Sequence, residues 1–514
     1  MPMLSDTATR LTGEVIRAGD PGYEAARVGW NRFYPRYPEA IVFCADAVDV
    51  VNAVRWAREN GIALRARSGR HNLEGWSSLD GGLVIDVSRM KSIAIDEAAG
   101  TATVGTGLIQ KEAVAALGAA GYAIPTGSEG EVGLGGVVLG GGFGLLTRKM
   151  GLACDVLLAA DVVVADGPGS ATVIHADAEN HADLLWACRG GGGNNFGITT
   201  SYTVKLHELA DVAFLYAKWD NRDRLADILR SWQRDAPVAD EHLSSALEID
   251  SAGPGLSAVL YGGERDELMS ALGPLLDIDS PTVTVTEDSW PTVYADVDKA
   301  PRDIENWKFY SQFVKRPFPD EAIDLICQFM ANAPSPASNY FLSSFGGAVR
   351  NAPAGGSAFP HRDALFYCEP GAGWNGCEPT STALGWVADF ARALRPYVDG
   401  AYVNVPNAAV ADWEYEYYGS NVSRLRQVRP PTTRTTCSPS SRAFPFRRPH
   451  DTAARNVQNV WHTESSDVDN PRRSRHGRSL VPRTRNACGT YVTGTVPFTC
   501  CHDQRRRWPP MPLS

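Results

Sequence analysis

Pro125-Thr-Gly-Ser-Glu-Gly-Glu-Val-Gly-Leu-Gly-Gly-Val-Val-Leu-Gly-Gly-Gly-Phe-Gly144 is the densest glycine stretch of the chain. Ordering a glycine costs more backbone entropy than ordering any other residue, so packing alone does not account for a run such as Gly140-Gly-Gly142. Such runs serve where the backbone must come close to a ligand, or where positive φ angles turn several N–H groups toward an anion. Two more loops share this character: Arg67-Ser-Gly-Arg-His-Asn-Leu-Glu-Gly75 and Arg189-Gly-Gly-Gly-Gly-Asn-Asn-Phe-Gly197. Any one of them reads equally well as an ordinary tight turn. The three together point to one long ligand lined by main chain, and a dinucleotide with its pyrophosphate fits. The spacings are not those of a nicotinamide enzyme or a P-loop. Gly133-Leu-Gly-Gly-Val-Val138 lacks the GxGxxG interval, Gly140–Gly144 is too compressed, and no GxxxxGK[ST] occurs.

Working outward, residues 39–90 read as βαββ. Ala40–Cys44 is a short apolar strand, and Ala45–Asn60 has helical spacing (Val48, Val51, Val54, Trp56) ending at Gly61. Ala63–Arg67 and Gly82–Asp86 follow as strands. Residues 92–96 and 101–105 form an expected hairpin, and Lys111–Gly121 a helix closed by glycine. Strands are expected at 156–165 and 198–206, with a helix near 181–188. Beyond residue 210 the texture changes. Amphipathic helices (Arg222–Arg234, Asp266–Leu276, Asp320–Asn332) alternate with strands near 256–261, 340–349 and 363–369. A last strand, Ala401–Val405, leads into a helix, Trp413–Arg426.

Arg67-Ser-Gly-Arg-His-Asn72 resembles the "RSGGHN" loop of the FAD-linked oxidases of the vanillyl-alcohol oxidase type, in the branch of berberine bridge enzyme and 6-hydroxy-D-nicotine oxidase. The likeness continues through Asp80–Ser92, Val132–Asp155, Asp183–Gly193 and Asn195–Ile198. A looser likeness runs through Phe359–Leu365, Ala401–Asn404 and Tyr417–Asn421, so that it spans residues 30–427. The resemblance implies an α+β fold. A two-part FAD-binding domain of the PCMH type is expected over 1–208, and an α/β substrate domain with a large antiparallel sheet over 209–398. A segment returning to the FAD domain is expected over 399–428.

The same resemblance implies FAD as cofactor, lying along Arg67, Ser68, Gly69, Arg70, His71 and Asn72. It would also contact Gly127, Ser128, Val132, Gly133, Gly135, Gly136, Gly140, Phe143 and Gly144, and rest against Ile198 and Asn404. His71 occupies the position at which the family attaches the flavin 8α-methyl group to an imidazole nitrogen. Such a bond holds the ring and, by withdrawing electron density, raises its potential. Arg70 departs from the commoner glycine. A cation there reads equally as a phosphate partner or as a solvent-facing side chain. Some members carry a second link through a Cys in "PxGxCxxVGxGG". In that register this chain places Glu129, so a single covalent bond is expected. Cys154 lies outside the register and reads as a small buried apolar side chain.

The implied reaction moves hydride from a C–H beside an OH or NH to flavin N5, and O2 then reoxidises the flavin to give H2O2. A base that takes the O–H or N–H proton assists, and it must sit within hydrogen-bond reach. On the expected strand 363–369, alternation puts Leu365, Tyr367 and Glu369 on one face. The family places a reactive side chain just after an "HR" pair, here His361-Arg362, which makes Tyr367 and Glu369 candidates. Tyr402 and Asn404 match a second segment near the ring. Tyr402 is the leading candidate and Glu369 the next, although each tyrosine also reads as a packed aromatic with a bonded hydroxyl. The implied partners are a small-molecule substrate and O2. An alcohol, a sugar and an amine stay open as substrate classes, and so does the oligomeric state. A flavin dehydrogenase with another acceptor and a non-catalytic flavoprotein are the alternatives.

Composition separates the last segment from the rest. The chain has 514 residues and a net charge of −10. Residues 429–514 hold fifteen Arg, no Lys and five acids, giving +10, so residues 1–428 carry −20. Such a tail reads as a nucleic-acid-binding arm, a solvated tail, or a product of a shifted reading frame. The family's chains end on a segment like "YDPxNxFxxxQSIP", absent here. Pro431–Pro445 back-translates with permitted codons so that reading from the third base yields Tyr-Asp-Pro-Tyr-Asp-Val-Phe-Ser-Phe-Glu-Gln-Ser-Ile-Pro. The expectation is therefore a frame lost between about Gln427 and Pro431, an unstructured tail, and no nucleic-acid partner. Ten Cys at irregular spacings without CxxC suggest neither a disulfide framework nor a metal site. No run reaches the ~18 apolar residues of a spanning helix, and Met1–Arg17 lacks the apolar core of a signal peptide, so a cytoplasmic protein without membrane contact is expected.

Overall fold

A computed structural model describes residues 10–167, 169–193, 195–297, 304–376 and 380–428. The expected basic tail and its lost frame lie outside the described residues. Among the described residues no helix is long and apolar enough to cross a membrane.

Three sheets of four or more strands organise the described residues. The first runs Glu14–Arg17, Ala40–Phe43, Leu83–Asp86, Leu64–Arg67, with the last three parallel. The helix Ala47–Glu59 makes the crossover. Asp46 caps it by accepting the Asp49 N–H at 2.9 Å, and it buries Val50, Ala53, Val54 and Ala57 on the sheet. The second sheet is antiparallel, in the order Ile93–Asp96, Thr101–Gly105, Ile198–Lys205, Leu157–Gly167, Ser170–Ala176. The glycine stretch is not all loop. Leu134–Gly140 forms two helical turns, burying Leu134, Val138 and Leu139 against this sheet.

The third sheet has eight strands, ordered Thr282–Ser289, Asp211–Lys218, Gly253–Tyr261, Leu243–Asp250, Asn339–Ser344, Phe366–Trp374, Asn306–Phe309. Gln312–Val314 also pairs with Phe366–Trp374. Alternation assigns its two faces. Ala213, Leu215, Ala217, Tyr340, Leu342, Phe366 and Cys368 join a core with the helices Leu225–Asp235, Arg265–Leu276, Asp320–Ala331 and Thr380–Leu394. Phe341, Ser343, Tyr367 and Glu369 therefore point the other way, toward the glycine loops. Buried Arg148 ties the layers together. Its guanidinium donates to the carbonyls of Leu243 (2.8 Å), Pro237 (2.9 Å) and Phe345.

Several sequence expectations need correction. The strand expected at 363–369 spans Phe366–Trp374. The strand expected at 340–349 stops at Ser344, and a 3₁₀ turn follows over Gly347–Arg350. Ala401–Val405 is not a strand. The Tyr402 N–H goes to Ser311 Oγ (2.9 Å) and the Val405 N–H back to Tyr402 O (3.0 Å), so no ladder remains to be made. The helix expected over Trp413–Arg426 breaks at Gly419, whose φ of 52° ends Trp413–Tyr418 before a second short helix, Val422–Leu425. Strands Asp211–Lys218, Leu243–Asp250 and Thr282–Ser289 and helix Thr380–Leu394 went unread.

Candidate active site

The loop after Leu64–Arg67 is anchored at both ends. Arg67 is buried. Its buried guanidinium pairs with Asp86 at 2.6 Å and donates to Ala26 O at 2.6 Å, locking two parallel strands together. Ser68 Oγ donates to Thr106 O (2.7 Å), and Asn72 Oδ1 accepts the N–H groups of Glu74 (3.1 Å) and Trp76 (2.8 Å). Between these anchors, the backbone N–H groups of Ser68, Gly69, Arg70 and Asn72 have no acceptor among the described residues. A row of unpaired amides is an anion cradle. At Gly69 a Cβ would lie 2.3 Å from Gly133 N, so only glycine lets this loop meet the second one. His71 is half-buried and stacks on Trp30, with ring centroids 5.2 Å apart.

The second loop is shaped by a residue that sequence reading passed over. Buried Gln110 accepts the Gly127 N–H (2.6 Å) and donates to Glu129 O (2.7 Å), holding Gly127, Ser128 and Glu129 in a fixed arc. Val132 O accepts the Gln110 N–H at 2.9 Å. Gly133 and Gly135 pack on Ser68 and Thr106, while the space at Gly136 is open. Ile198 is buried in the core of the first sheet, and Gly144 N–H is taken by Thr147 Oγ1 (2.7 Å). Cys154 is buried, and burial pushes its thiol well up.

The return segment closes over these loops. Tyr402 Oη accepts the Gly142 N–H at 2.7 Å and the Asn404 Nδ2–H at 2.9 Å, and Asn404 also donates to Val137 O (2.9 Å). Gly140 makes room for this, since a Cβ there would meet Asn404 Oδ1 at 2.0 Å. Phe143 packs against Tyr402 (5.1 Å), Tyr367 (4.9 Å) and Phe345 (5.1 Å). On the large sheet Tyr367 donates its hydroxyl hydrogen bond to Glu369. Burial, with the charges of Glu248 and Glu129 behind it, pushes Glu369 up to about 7. Burial raises Tyr402 and Tyr367 as well. Tyr367, Tyr402 and Phe143 therefore meet in one place, with Glu369 bonded to Tyr367. Only the alternation at 367 and 369 hinted at this.

His361 and Arg362, read as a marker, serve as scaffold. His361 is buried, hydrogen-bonded to Ala401 O (3.0 Å) and stacked on Phe313 (4.1 Å), and burial lowers it to about 3. Arg362 forms a two-pronged pair with Asp155 (3.0 and 2.6 Å), joining the large sheet to the glycine-rich part. A buried Lys308–Glu74 pair, with Tyr34 donating to Glu74 at 3.0 Å, makes a second junction. Nothing in the sequence pairs these residues.

A family model described as an FAD-binding domain matches residues 38–168, and one described as berberine and berberine-like matches residues 401–430. The "uncharacterized FAD-linked oxidoreductase YvdP" of Bacillus subtilis (strain 168) is 39% identical over 430 residues, covering 82% of this chain and 95% of that protein. (R)-6-hydroxynicotine oxidase of Paenarthrobacter nicotinovorans is 41% identical over 209 residues, 40% of this chain and 44% of its own length. The solved structure of BBE-like 1 from Physcomitrella patens matches with a TM-score of 0.76 at 28% identity, over 81% of this chain and 93% of that one. The resemblance carried by the glycine loops therefore holds for fold, cofactor class and enzymatic character, and the chain belongs to the berberine-bridge-enzyme-like family of FAD-linked oxidoreductases.

Proposed function

We propose that this protein is an oxidase that takes a hydride from a C–H beside an OH or NH of a small alcohol, sugar or amine and passes the electrons to O2, giving H2O2. FAD, when bound, supplies the two-electron acceptor. The residues present fit it: the unpaired amides of Ser68, Gly69, Arg70 and Asn72 offer donors to a pyrophosphate, and Gly136 leaves open space beside them. We assign residues 1–208 and the return segment 399–428 to holding it, and residues 209–398 to the substrate. His71 is the single point of covalent attachment in this reading, because Glu129 stands where a cysteinyl link would need a thiol.

The observation that carries the reading is the hydroxyl of Tyr402. It accepts two N–H donors, from Gly142 and Asn404, which leaves its own hydrogen to be given away or replaced by a substrate proton. Two donors aimed at this oxygen also favour the phenolate over what burial alone would allow. Once its own hydrogen has been released to solvent before substrate closes the site, the Tyr402 phenolate takes the substrate O–H or N–H proton as hydride leaves the adjacent carbon. Glu369 takes a second position. Held to about 7 and bonded to Tyr367, it can accept or release a proton near neutral pH. Phe143, Phe313 and Phe359 around Tyr402 keep water out.

Two experiments test this. Acid-precipitated protein should keep its yellow colour, the His71 peptide should carry the flavin mass, and His71→Ala should lose the colour on precipitation. Anaerobic mixing with a panel of alcohols, sugars and amines should bleach the flavin, and air should restore it with one H2O2 per turnover. Reoxidation by a dye but not by air would make the protein a dehydrogenase. Failure to bleach with any donor would leave a non-catalytic flavoprotein.

A further inference from the structure

Behind the His71 loop, on the side of the helix Tyr23–Arg27, lies a cavity of about 300 Å³, at the lower end of the range for small-molecule sites. Five arginines line it, and four are paired: Arg27 with Glu24, Arg32 with Glu305, Arg36 with Asp80 and Arg67 with Asp86. Arg70 is not. It is exposed, its guanidinium donates from Nη1 to Ala25 O at 3.1 Å, and it has no carboxylate partner among the described residues. Its backbone has φ of 62°, in the left-handed region that glycine occupies without strain. An arginine held there at a backbone cost suggests that its side chain has a use. Two other unmatched groups line the same cavity. Ser78 Oγ is shielded from solvent and has no hydrogen-bond partner, and Asn72 Nδ2 has no acceptor among the described residues. A buried polar group left without a partner, as Ser78 Oγ is, calls for one.

We propose that this cavity binds a small molecule through an oxyanion group, phosphate or carboxylate, with Arg70 as the charged anchor and Asn72 Nδ2 and Ser78 Oγ as flanking donors. An oxyanion accepts from all three and neutralises the one cavity arginine that lacks a counter-charge among the described residues. The site is separate from the proposed substrate pocket, and it stands whether or not the protein is an oxidase.

The test is calorimetric titration of the purified full chain with inorganic phosphate and with citrate, at ionic strength held constant with KCl, each with and without saturating FAD. The expected result is saturable binding of at least one probe that FAD does not displace. Binding should weaken at least tenfold in R70G and severalfold in S78A. Glycine suits the backbone at position 70, so R70G tests the guanidinium without straining the loop, and circular dichroism verifies that the fold is kept. The preferred probe tells phosphate from carboxylate. Binding that FAD abolishes would assign Arg70 to the flavin phosphates and overturn the proposal, as would equal affinity in R70G or no saturable binding by either probe.

Discussion

Glu369→Gln isolates the electrostatics of the proposed acid–base site without needing a substrate. The Glu369 carboxyl rises from 4.5 to about 7 because burial and the neighbouring charges of Glu248 and Glu129 disfavour its ionised form. Folding therefore favours the protonated form between those values. The folded chain binds one proton more than the unfolded chain, and stability falls as pH rises through that window. At 1.36 kcal/mol per pKa unit, the loss between pH 5 and pH 8 is about 2.5 kcal/mol, an upper value because the side chain is partly exposed. Glutamine keeps an acceptor for the Tyr367 hydroxyl but does not titrate. The variant should match the wild type near pH 5, apart from a constant offset, and gain on it by about 2 kcal/mol by pH 8. Urea unfolding at pH 5, 6, 7 and 8, compared as midpoints at equal slope, reads this directly. The effect of His361 is common to both proteins and cancels. A difference that stays flat across this range would show that Glu369 is an ordinary solvated carboxylate, and the proton-accepting role proposed for it would fall with that.

Other expectations follow from the same contacts. Tyr402→Phe leaves the Gly142 N–H buried without an acceptor, which costs about 1–3 kcal/mol in denaturant unfolding; anaerobic flavin reduction by the best donor should slow by about 100-fold or more. His361 is held neutral down to about 3, so the unfolded chain takes up a proton below 6.5 that the folded chain refuses. Its contribution should fall by about 2 kcal/mol between pH 7.5 and pH 5, measured as a shrinking advantage over His361→Gln. Arg362→Ala strips the partner from a nearly buried Asp155 and should destabilise by about 3–5 kcal/mol, lowering the thermal midpoint. Sequencing the gene across Gln427–Pro431 should reveal a gained or lost base, and restoring the frame should give a chain containing Tyr-Asp-Pro-Tyr-Asp-Val-Phe-Ser-Phe-Glu-Gln-Ser-Ile-Pro. A reproducible in-frame reading would refute the frame loss.

The glycine loops were legible because their requirements are local. A glycine that must let two backbones touch, as at Gly69 and Gly133, has no substitute, and it leaves its mark in the one-dimensional chain. The alternation that put Tyr367 and Glu369 on one side of a strand is likewise a property of any extended segment, and their hydrogen bond agrees with it. The boundaries around them were misjudged where a local pattern met a stronger distant partner. Ala401–Val405 has the composition of a strand, yet Ser311 Oγ captures the amide of Tyr402 from 91 residues away. Gln110 carried no signal at all, since a polar residue on an ordinary helix reads as solvated until the 127–129 arc folds down on it.

Chain chemistry thus prescribed what kind of cofactor this protein can hold and which short glycine loops meet one another, because steric demands on backbone and glycine act between near neighbours. Which face of the eight-stranded sheet looks toward those loops was settled by the four helices that claimed the opposite face. The meeting of Tyr402, Tyr367, Glu369 and Phe143 was settled by the return segment crossing back over residues 140–142. Those contacts join residues hundreds of positions apart, and their energies exist only once burial has removed water from between them.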